Sequence, residues 1–200
     1  MSLPPSYFDD VYAASADPWG FETSPYEAAK YDATLAALPR ARYGSAFEAG
    51  GSIGVLTRRL ADRCDALLSA DVSDVAIAQA RARCADVPHV RIERRVLPAE
   101  FPERAEDGAP FDLVVVSEVG YYFSADDLAA FRAACARALA PPHPGGAGGT
   151  LLLVHWTAPV HDYPLTGDAV HDAFLADPAF RHVAGSRAPE YRLDVLERAG

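Results

Sequence analysis

The sequence predicts an α/β fold: a doubly wound, mostly parallel sheet with helices on both faces, an antiparallel strand pair at its C-terminal end and a helical cap before the first strand. Three observations carry that expectation. Short apolar runs alternate with helix-length stretches from Ser45 onward, the pattern of parallel strands joined by crossing helices. A small-residue turn, Ala49-Gly50-Gly51-Ser52, links the first apolar run to a helix, and the next run ends on Asp71. The chain closes on two strand-like segments separated by Ala188-Pro189.

A chain of 200 residues, half of them hydrophobic, can bury the core of one domain. The expected organisation is a helical cap over residues 1–43 and a ligand-binding domain over 44–200, one structural unit overall. The net charge of −10 argues against a nucleic-acid substrate, because phosphate contacts want a basic face. Cys64, Cys84 and Cys135 are too scattered for a disulfide frame or a zinc site and read as reduced thiols in helices, so no metal is expected. No apolar run approaches a membrane span and no basic-then-apolar leader opens the chain. The expectation is therefore a cytoplasmic protein without membrane contact, monomeric or weakly dimeric.

In the cap, Ser6–Ala14 reads as a short helix with Tyr7, Phe8, Val11 and Tyr12 on one side. Asp17-Pro18-Trp19-Gly20 reads as a turn. Ser24-Pro25 starts a second helix in which Tyr26, Ala29, Lys30, Ala33 and Ala37 recur at helical spacing. Short helices need a surface to pack on, and the open cleft of the following domain is the simplest one. There, Ala46–Glu48 forms the first strand, a helix runs over about 54–63, and Ala66–Ala70 forms the second strand. Ser73 caps a helix reaching about Cys84, and Val90–Arg94 alternates as a third strand. Phe111–Ser117 is the most apolar strand and belongs at the sheet centre. A loop over Glu118–Phe123, a helix over Ala125–Leu139, a strand over Thr150–His155 and a helix over Gly167–Leu175 follow. The terminal pair is about Arg181–Ser186 and Tyr191–Glu197.

Sheets of this kind bind ligands beyond the C-terminal strand ends. That rule gathers Glu48–Gly54, Asp71, Val96-Leu97, Ser117–Tyr122 and His155-Trp156 along one edge. The turn then selects the ligand. A dinucleotide fingerprint wants G-x-G-x-x-G, so that a pyrophosphate sits on the helix N-terminus. Here the pattern is Glu48-x-Gly50-x-Ser52-x-Gly54, with an acid two residues before the first glycine. A carboxylate there repels a pyrophosphate and suits an ammonium or a sulfonium; S-adenosylmethionine carries both. Gly50, Gly51 and Gly54 let the backbone approach the ligand, and Asp71 can accept both hydroxyls of a ribose.

Four segments carry a family resemblance: DPWGFETSPYEAAKY, FEAGGSIGVLTRRLA, FDLVVVSEVGYYFS, and HW followed by HDYPLTGDAVH. Their order resembles the class I S-adenosylmethionine-dependent methyltransferases, with their Rossmann-like, seven-stranded sheet. More narrowly, the chain is similar over nearly its whole length to the nodulation protein S-like branch, whose founding activity is N-methylation of a partly deacetylated chitin oligosaccharide. The glycine motif is widely shared; SEVGYY and DYPLTGDAVH are narrower. The resemblance implies that Glu48 and the Gly50–Gly54 turn hold the methionine end, Asp71 takes the ribose hydroxyls, and Val72, Val96 and Leu97 contact the adenine. S-adenosylhomocysteine would be the product. Two positions depart from the pattern. Gly51 stands where a cysteine is expected in this branch, a change that a backbone-lined turn should tolerate. Val96-Leu97 lacks the aspartate often found after the third strand.

The remaining candidates follow from placement. Trp19 either anchors the cap or touches the cofactor, and Ser117 joins the cofactor set. Tyr121 and Tyr122 follow the central strand, where the transferred methyl should lie. Glu118 either binds substrate or ties down loop amides. His155 is either a structural histidine or a base, and with Glu118 and Tyr122 it makes up the expected catalytic set. Tyr121, Trp156, Asp162, Asp168 and His171 are the expected substrate contacts. The loop ends bearing Glu118, His155, Asp162 and Asp168 include no lysine or arginine, so an acidic cleft for a cationic acceptor is expected. The expected reaction is N-methylation of a small-molecule amine on a sugar or similar polar scaffold. An O-methyltransferase, a nicotinamide-dependent oxidoreductase and a non-catalytic cofactor-binding module are the alternatives.

Overall fold

The computed structural model describes residues 1–158 and 160–200. Two helices, α1 (Pro5–Ala14) and α2 (Pro25–Ala37), precede a seven-stranded sheet. Strands β1 (Tyr43–Ala49), β2 (Cys64–Asp71) and β3 (Val90–Arg94) are linked by α3 (Val55–Leu60) and α4 (Asp74–Arg83). Then come β4 (Leu113–Ser117), α5 (Ala125–Ala138), β5 (Thr150–Trp156), α6 (Gly167–Leu175), β6 (Phe180–Arg187) and β7 (Tyr191–Arg198). The strand order is β3-β2-β1-β4-β5-β7-β6. The first five strands are parallel, and β7 runs antiparallel to both β5 and β6. The chain thus steps outward from β1 to β3 and returns to β4, leaving a crevice at the C-terminal ends of β1 and β4.

The central strands are apolar at every position of Leu113–Val116 and Leu151–Val154 because both sheet faces are covered. Their side chains alternate. Val114, Val116, Leu151 and Leu153 pack with Phe47, Phe111 and Phe131 on one face. Leu113, Val115, Leu152 and Val154 pack with Tyr31, Tyr43 and Leu67 on the other. Each fully buried side chain of this size contributes about 1.5–3 kcal/mol over exposure.

The cap is built into this core. Ser24 Oγ accepts the Glu27 N–H at 3.3 Å and Pro25 fills the first helical turn, so α2 starts where the sequence places it. Its buried face is Glu27, Lys30, Tyr31 and Thr34. That stripe is rotated from the expected Tyr26, Ala29, Lys30, Ala33 and Ala37 set, because a buried ion pair replaces the alanines as the inward surface. Arg63 fastens the end of α2 by donating to the carbonyls of Leu35, Arg40 and Ala41. At the other end of the cap, Leu3 N–H donates to Tyr122 O at 2.9 Å, and Tyr12 is buried against Ile53 and Ala76.

Three local expectations change. The helix after the glycine turn ends at Leu60 and passes into a single 3₁₀ turn, Ala61–Arg63. Ser73 Oγ is buried without a hydrogen-bond partner among the described residues and does not cap α4. Cys64 opens β2 and Cys84 lies just past α4, leaving only Cys135 within a helix; all three are free and buried. Among the described residues no helix is long and apolar enough to cross a membrane, and no side-chain cluster could hold a metal ion.

Candidate active site

After β1 the backbone reverses through left-handed conformations at Gly50 (φ 72°), Ser52 (φ 51°) and Gly54 (φ 81°). The N–H groups of Gly50 and Gly51 donate to Ala70 O at 2.8 and 3.0 Å, which lashes the turn to the end of β2. At Gly54 a Cβ would lie 2.8 Å from Ala80 Cα, so only glycine lets α3 approach α4 this closely. At Gly51 a Cβ would lie 2.0 Å from Ser69 Oγ. Glycine at position 51 suits this packing, since any side chain there requires Ser69 to move.

Glu48 lies under the turn, 1% exposed. Its Oε2 accepts from the hydroxyls of Thr57 and of Ser69, the latter at 2.7 Å. Burial pushes its pKa up to about 7, against the pull of those two hydroxyls. Asp71 Oδ2 accepts the Ser52 N–H at 2.8 Å, and Oδ1 accepts those of Val72 and Ser73 at 2.8 and 3.0 Å. Burial raises its pKa and the three amides partly offset that. Asp71 thus holds the turn and the start of α4 in place as well as facing the ligand space.

That space is a cavity of about 470 Å³, inside the roughly 300–1,000 Å³ range of small-molecule sites. The predicted residues Glu48, Gly50, Gly51, Ser52, Asp71 and Val72 form one wall. Val96 and Leu97 add the loop after β3, and Trp19 adds the cap. Trp19 also stacks on Phe21 with ring centroids 5.5 Å apart and meets Tyr12 edge-on, so it anchors the cap and lines the cavity at once. Ser117, Glu118, Tyr121, Tyr122 and Trp156 close the opposite wall.

The sequence missed the charges on that second wall. Glu27 and Lys30 of α2 line the cavity. Lys30 Nζ donates to Glu118 Oε1 at 2.6 Å and to Glu27 Oε1 at 3.0 Å. Glu118 holds a left-handed backbone (φ 57°). Its Oε2 accepts from Tyr121 Oη at 2.6 Å and from the Trp156 N–H at 2.9 Å. Burial alone would lower the Lys30 pKa, but the Glu118 and Glu27 carboxylates outweigh it and the pKa rises. Arg95 also lines the cavity. The expected cleft free of lysine and arginine is thus corrected to one holding a neutralised lysine. The available signal was a lysine on the apolar stripe of α2, three residues after a glutamate.

Four expected substrate-side residues and one glycine lie elsewhere. Gly54 faces Ala80 instead of the cavity. His155 is fully buried beneath the Gly120–Tyr122 turn. Its Nε2 accepts the Gly120 N–H at 3.0 Å, so Nδ1 carries the proton and donates to His171 Nε2 at 3.1 Å. His171 Nδ1 in turn donates to Asp194 Oδ2 at 2.7 Å. Burial, then His171 and Lys30, hold the His155 pKa well below the usual imidazole range. With both nitrogens committed and no cavity exposure, His155 is a structural support, which corrects its expected role as a base. His171 is likewise a buried link and not a substrate contact. Asp168 pairs with Arg187 and with Arg192, the latter at 3.2 Å, and Asp162 is exposed away from the cavity wall.

The model of the nodulation protein S family matches residues 10–140. The chain belongs to that family. A Pseudomonas syringae protein assigned as a methyltransferase is 37% identical over 86% of this chain and 99% of its own, with a TM-score of 0.72. The N-methyltransferase NodS from Bradyrhizobium japonicum WM9, in complex with S-adenosyl-L-homocysteine, is 21% identical over 97% of this chain and 98% of its own, with a TM-score of 0.76. Magnesium protoporphyrin IX methyltransferase from Synechocystis PCC 6803, with bound SAM, is 16% identical over 99% of both chains, with a TM-score of 0.68. No curated protein matches the sequence. This NodS-family protein is an S-adenosylmethionine-dependent methyltransferase with the class I fold. Its residues fit that cofactor: one wall pairs a buried carboxylate with the Gly50–Ser52 turn that lines the cavity, and the cavity is of small-molecule size.

Proposed function

We propose that this enzyme N-methylates a small-molecule amine carried on a sugar or similar polar scaffold. The observation that supports this reading is the charge of the acceptor wall. Glu27 and Glu118 surround a single Lys30, so the cluster carries net negative charge, and the aromatic rings of Tyr121, Tyr122 and Trp156 stand beside it. A cation gains from both the charge and the ring faces; a carboxylate or phosphate acceptor meets repulsion.

S-adenosylmethionine, when bound, supplies an electrophilic methyl group on a sulfonium. The chain's part is to hold, align and keep dry. Glu48 and the Gly50–Ser52 part of the turn would take the methionine end, and Asp71 the ribose. Trp19, Val72, Val96 and Leu97 would bracket the adenine, with Ser117 at the strand end between donor and acceptor. Residues 1–43 act as a cap over the 44–200 domain: the contact of Tyr12 Oη with Ser52 Oγ and the Leu3–Tyr122 hydrogen bond seat it on both walls. Such closure excludes water and fixes the reactants, which accounts for much of the acceleration a displacement of this kind needs. The nodulation protein S reading favours an amino sugar as scaffold. The free buried cysteines accord with a cytoplasmic enzyme.

Labelled methyl donor offered with amino sugars and with their N-acetyl counterparts tests the reading. Label is expected on the free amines alone. Transfer only to hydroxyl acceptors, or equal transfer to both series, would overturn it.

A further inference from the structure

We infer that His155 is a positioning residue for methyl transfer: it holds the Gly120–Tyr122 turn, and with it Tyr121 and Tyr122, where the acceptor meets them. The inference rests on the acceptor-wall reading above and gives that wall a support that itself touches no ligand.

The turn needs such a support. At the end of β4 the backbone enters the left-handed region at Glu118 (φ 57°), a conformation that a non-glycine residue keeps only where its surroundings impose it. Glu118 is tied to β5 through its N–H, which donates to Val154 O at 2.9 Å, and through Oε2, which accepts the Trp156 N–H. Gly120 then opens the 3₁₀ turn. A Cβ there would lie 2.6 Å from Val170 Cγ1 and 2.9 Å from His155 Nε2, so only glycine lets the imidazole reach the backbone. The Gly120 N–H donates to that nitrogen at 3.0 Å. The same imidazole meets the Tyr121 ring edge-on, with centroids 5.4 Å apart. His155 thus braces both the backbone of the turn and one of the rings that line the cavity.

This bracing depends on one tautomer. A neutral imidazole offers one acceptor and one donor. Nε2 can take the Gly120 N–H only while the proton sits on Nδ1, which faces His171 Nε2 at 3.1 Å. His171 accepts there because its own proton faces Asp194 Oδ2, 2.7 Å away, and an ionised carboxylate can only accept. Asp194 is fixed in turn by Arg192 at 2.8 Å and His182 at 2.9 Å. The line from β7 through α6 therefore sets the tautomer that the acceptor turn requires. The Gly50–Ser52 turn hangs instead on Ala70 O and the Asp71 carboxylate. A change at His155 should accordingly reach the acceptor and spare the cofactor.

Two substitutions separate the contacts. His155→Gln carries its carbonyl oxygen about as far from the backbone as Nε2 and keeps an acceptor for Gly120. His155→Asn ends near the Nδ1 position, reaches His171 and leaves the Gly120 N–H unpaired. Both lose packing, so thermal melting should fall in both. With glucosamine as acceptor and saturating S-adenosylmethionine, acceptor KM should rise about tenfold in His155→Asn and return to within about twofold of wild type in His155→Gln, the scale of one buried hydrogen bond. Calorimetry should give S-adenosylhomocysteine affinities within about twofold of wild type for both variants. Equal KM values in the two variants, or a loss that follows melting alone, overturn the positioning role. If the wild type labels hydroxyl acceptors only, the amine reading falls, and the same KM comparison is made on the labelled hydroxyl compound, so the two readings fail separately. If neither variant folds, the wild type decides: nitrogen NMR of histidine-labelled protein should show His155 neutral with its proton on Nδ1, and a proton on Nε2 overturns the inference.

Discussion

The two walls of the cavity are made in different ways. The wall proposed for the donor has one continuous stretch, Glu48 to Ser73, as its frame, joined by Trp19, Val96 and Leu97, and that frame is held largely by backbone: Gly50 and Gly51 on Ala70, and three amides on Asp71. The acceptor wall is assembled from parts far apart in the chain. Lys30 meets Glu118 across 88 positions, and Glu118 meets the Trp156 amide across 38. Backbone hydrogen bonds tolerate changes of side chain; buried ion pairs do not. The first wall therefore keeps its shape when neighbouring side chains change, while the second can be rebuilt only if its buried charges change together.

The largest break in that comparison should come at Lys30. Lys30→Met leaves Glu27 and Glu118 buried without their cation, a loss of about 3–5 kcal/mol. At roughly 2–4 °C per kcal/mol for a chain of this size, thermal melting should fall by more than about 6 °C. Unchanged melting would mean that the acceptor wall does not depend on this pair. A middle effect is expected on the donor wall. Asp71→Ala should weaken S-adenosylhomocysteine binding by about 1–3 kcal/mol, the scale of hydrogen bonds to a charged group, as read by calorimetry. An unaltered affinity would show that Asp71 serves the turn alone.

The smallest effect is a slope. His155 is held neutral with its folded pKa below the unfolded value, so its contribution is present above about pH 6.5 and is lost as pH falls below it. His171 is shifted the same way by burial, with Asp194 opposing; His182 and Arg192 also contact Asp194. Wild-type unfolding free energy should drop below pH 6.5 by up to roughly 1.4 kcal/mol per pH unit for each such histidine. His155→Asn should flatten that slope, and equal slopes in chemical denaturation would remove His155 from the acid response.

The same contrast governs what could be read from the sequence. The mostly parallel sheet with its antiparallel C-terminal pair, the central strand read over Phe111–Ser117 and the Glu48-to-Asp71 unit follow from local pattern and spacing, and they stand in the structure, with the central strand trimmed to Leu113–Ser117. Glu27 and Lys30 escaped because a charged pair on a helix ordinarily belongs to its solvated face; only Glu118, brought in by the fold, makes burial tolerable. His155 was read as cleft-facing because its strand end is. The Gly120 amide and His171, contacts across elements, turn it inward instead. Asp168 follows the same logic in reverse, drawn outward by arginines on β6 and β7.

The chain from Gly120 through His155 and His171 to Asp194 also has a direction: every proton in it points the same way. Replacing one member by a residue that can only donate or only accept strands a partner at one end of the vacancy. Sequence drift along this line is therefore expected to be concerted. A lineage that exchanges His155 must alter His171 or Asp194 with it or fill the gap with an apolar pair, so these scattered positions should vary together and record the descent of the acceptor wall more faithfully than the glycine turn does.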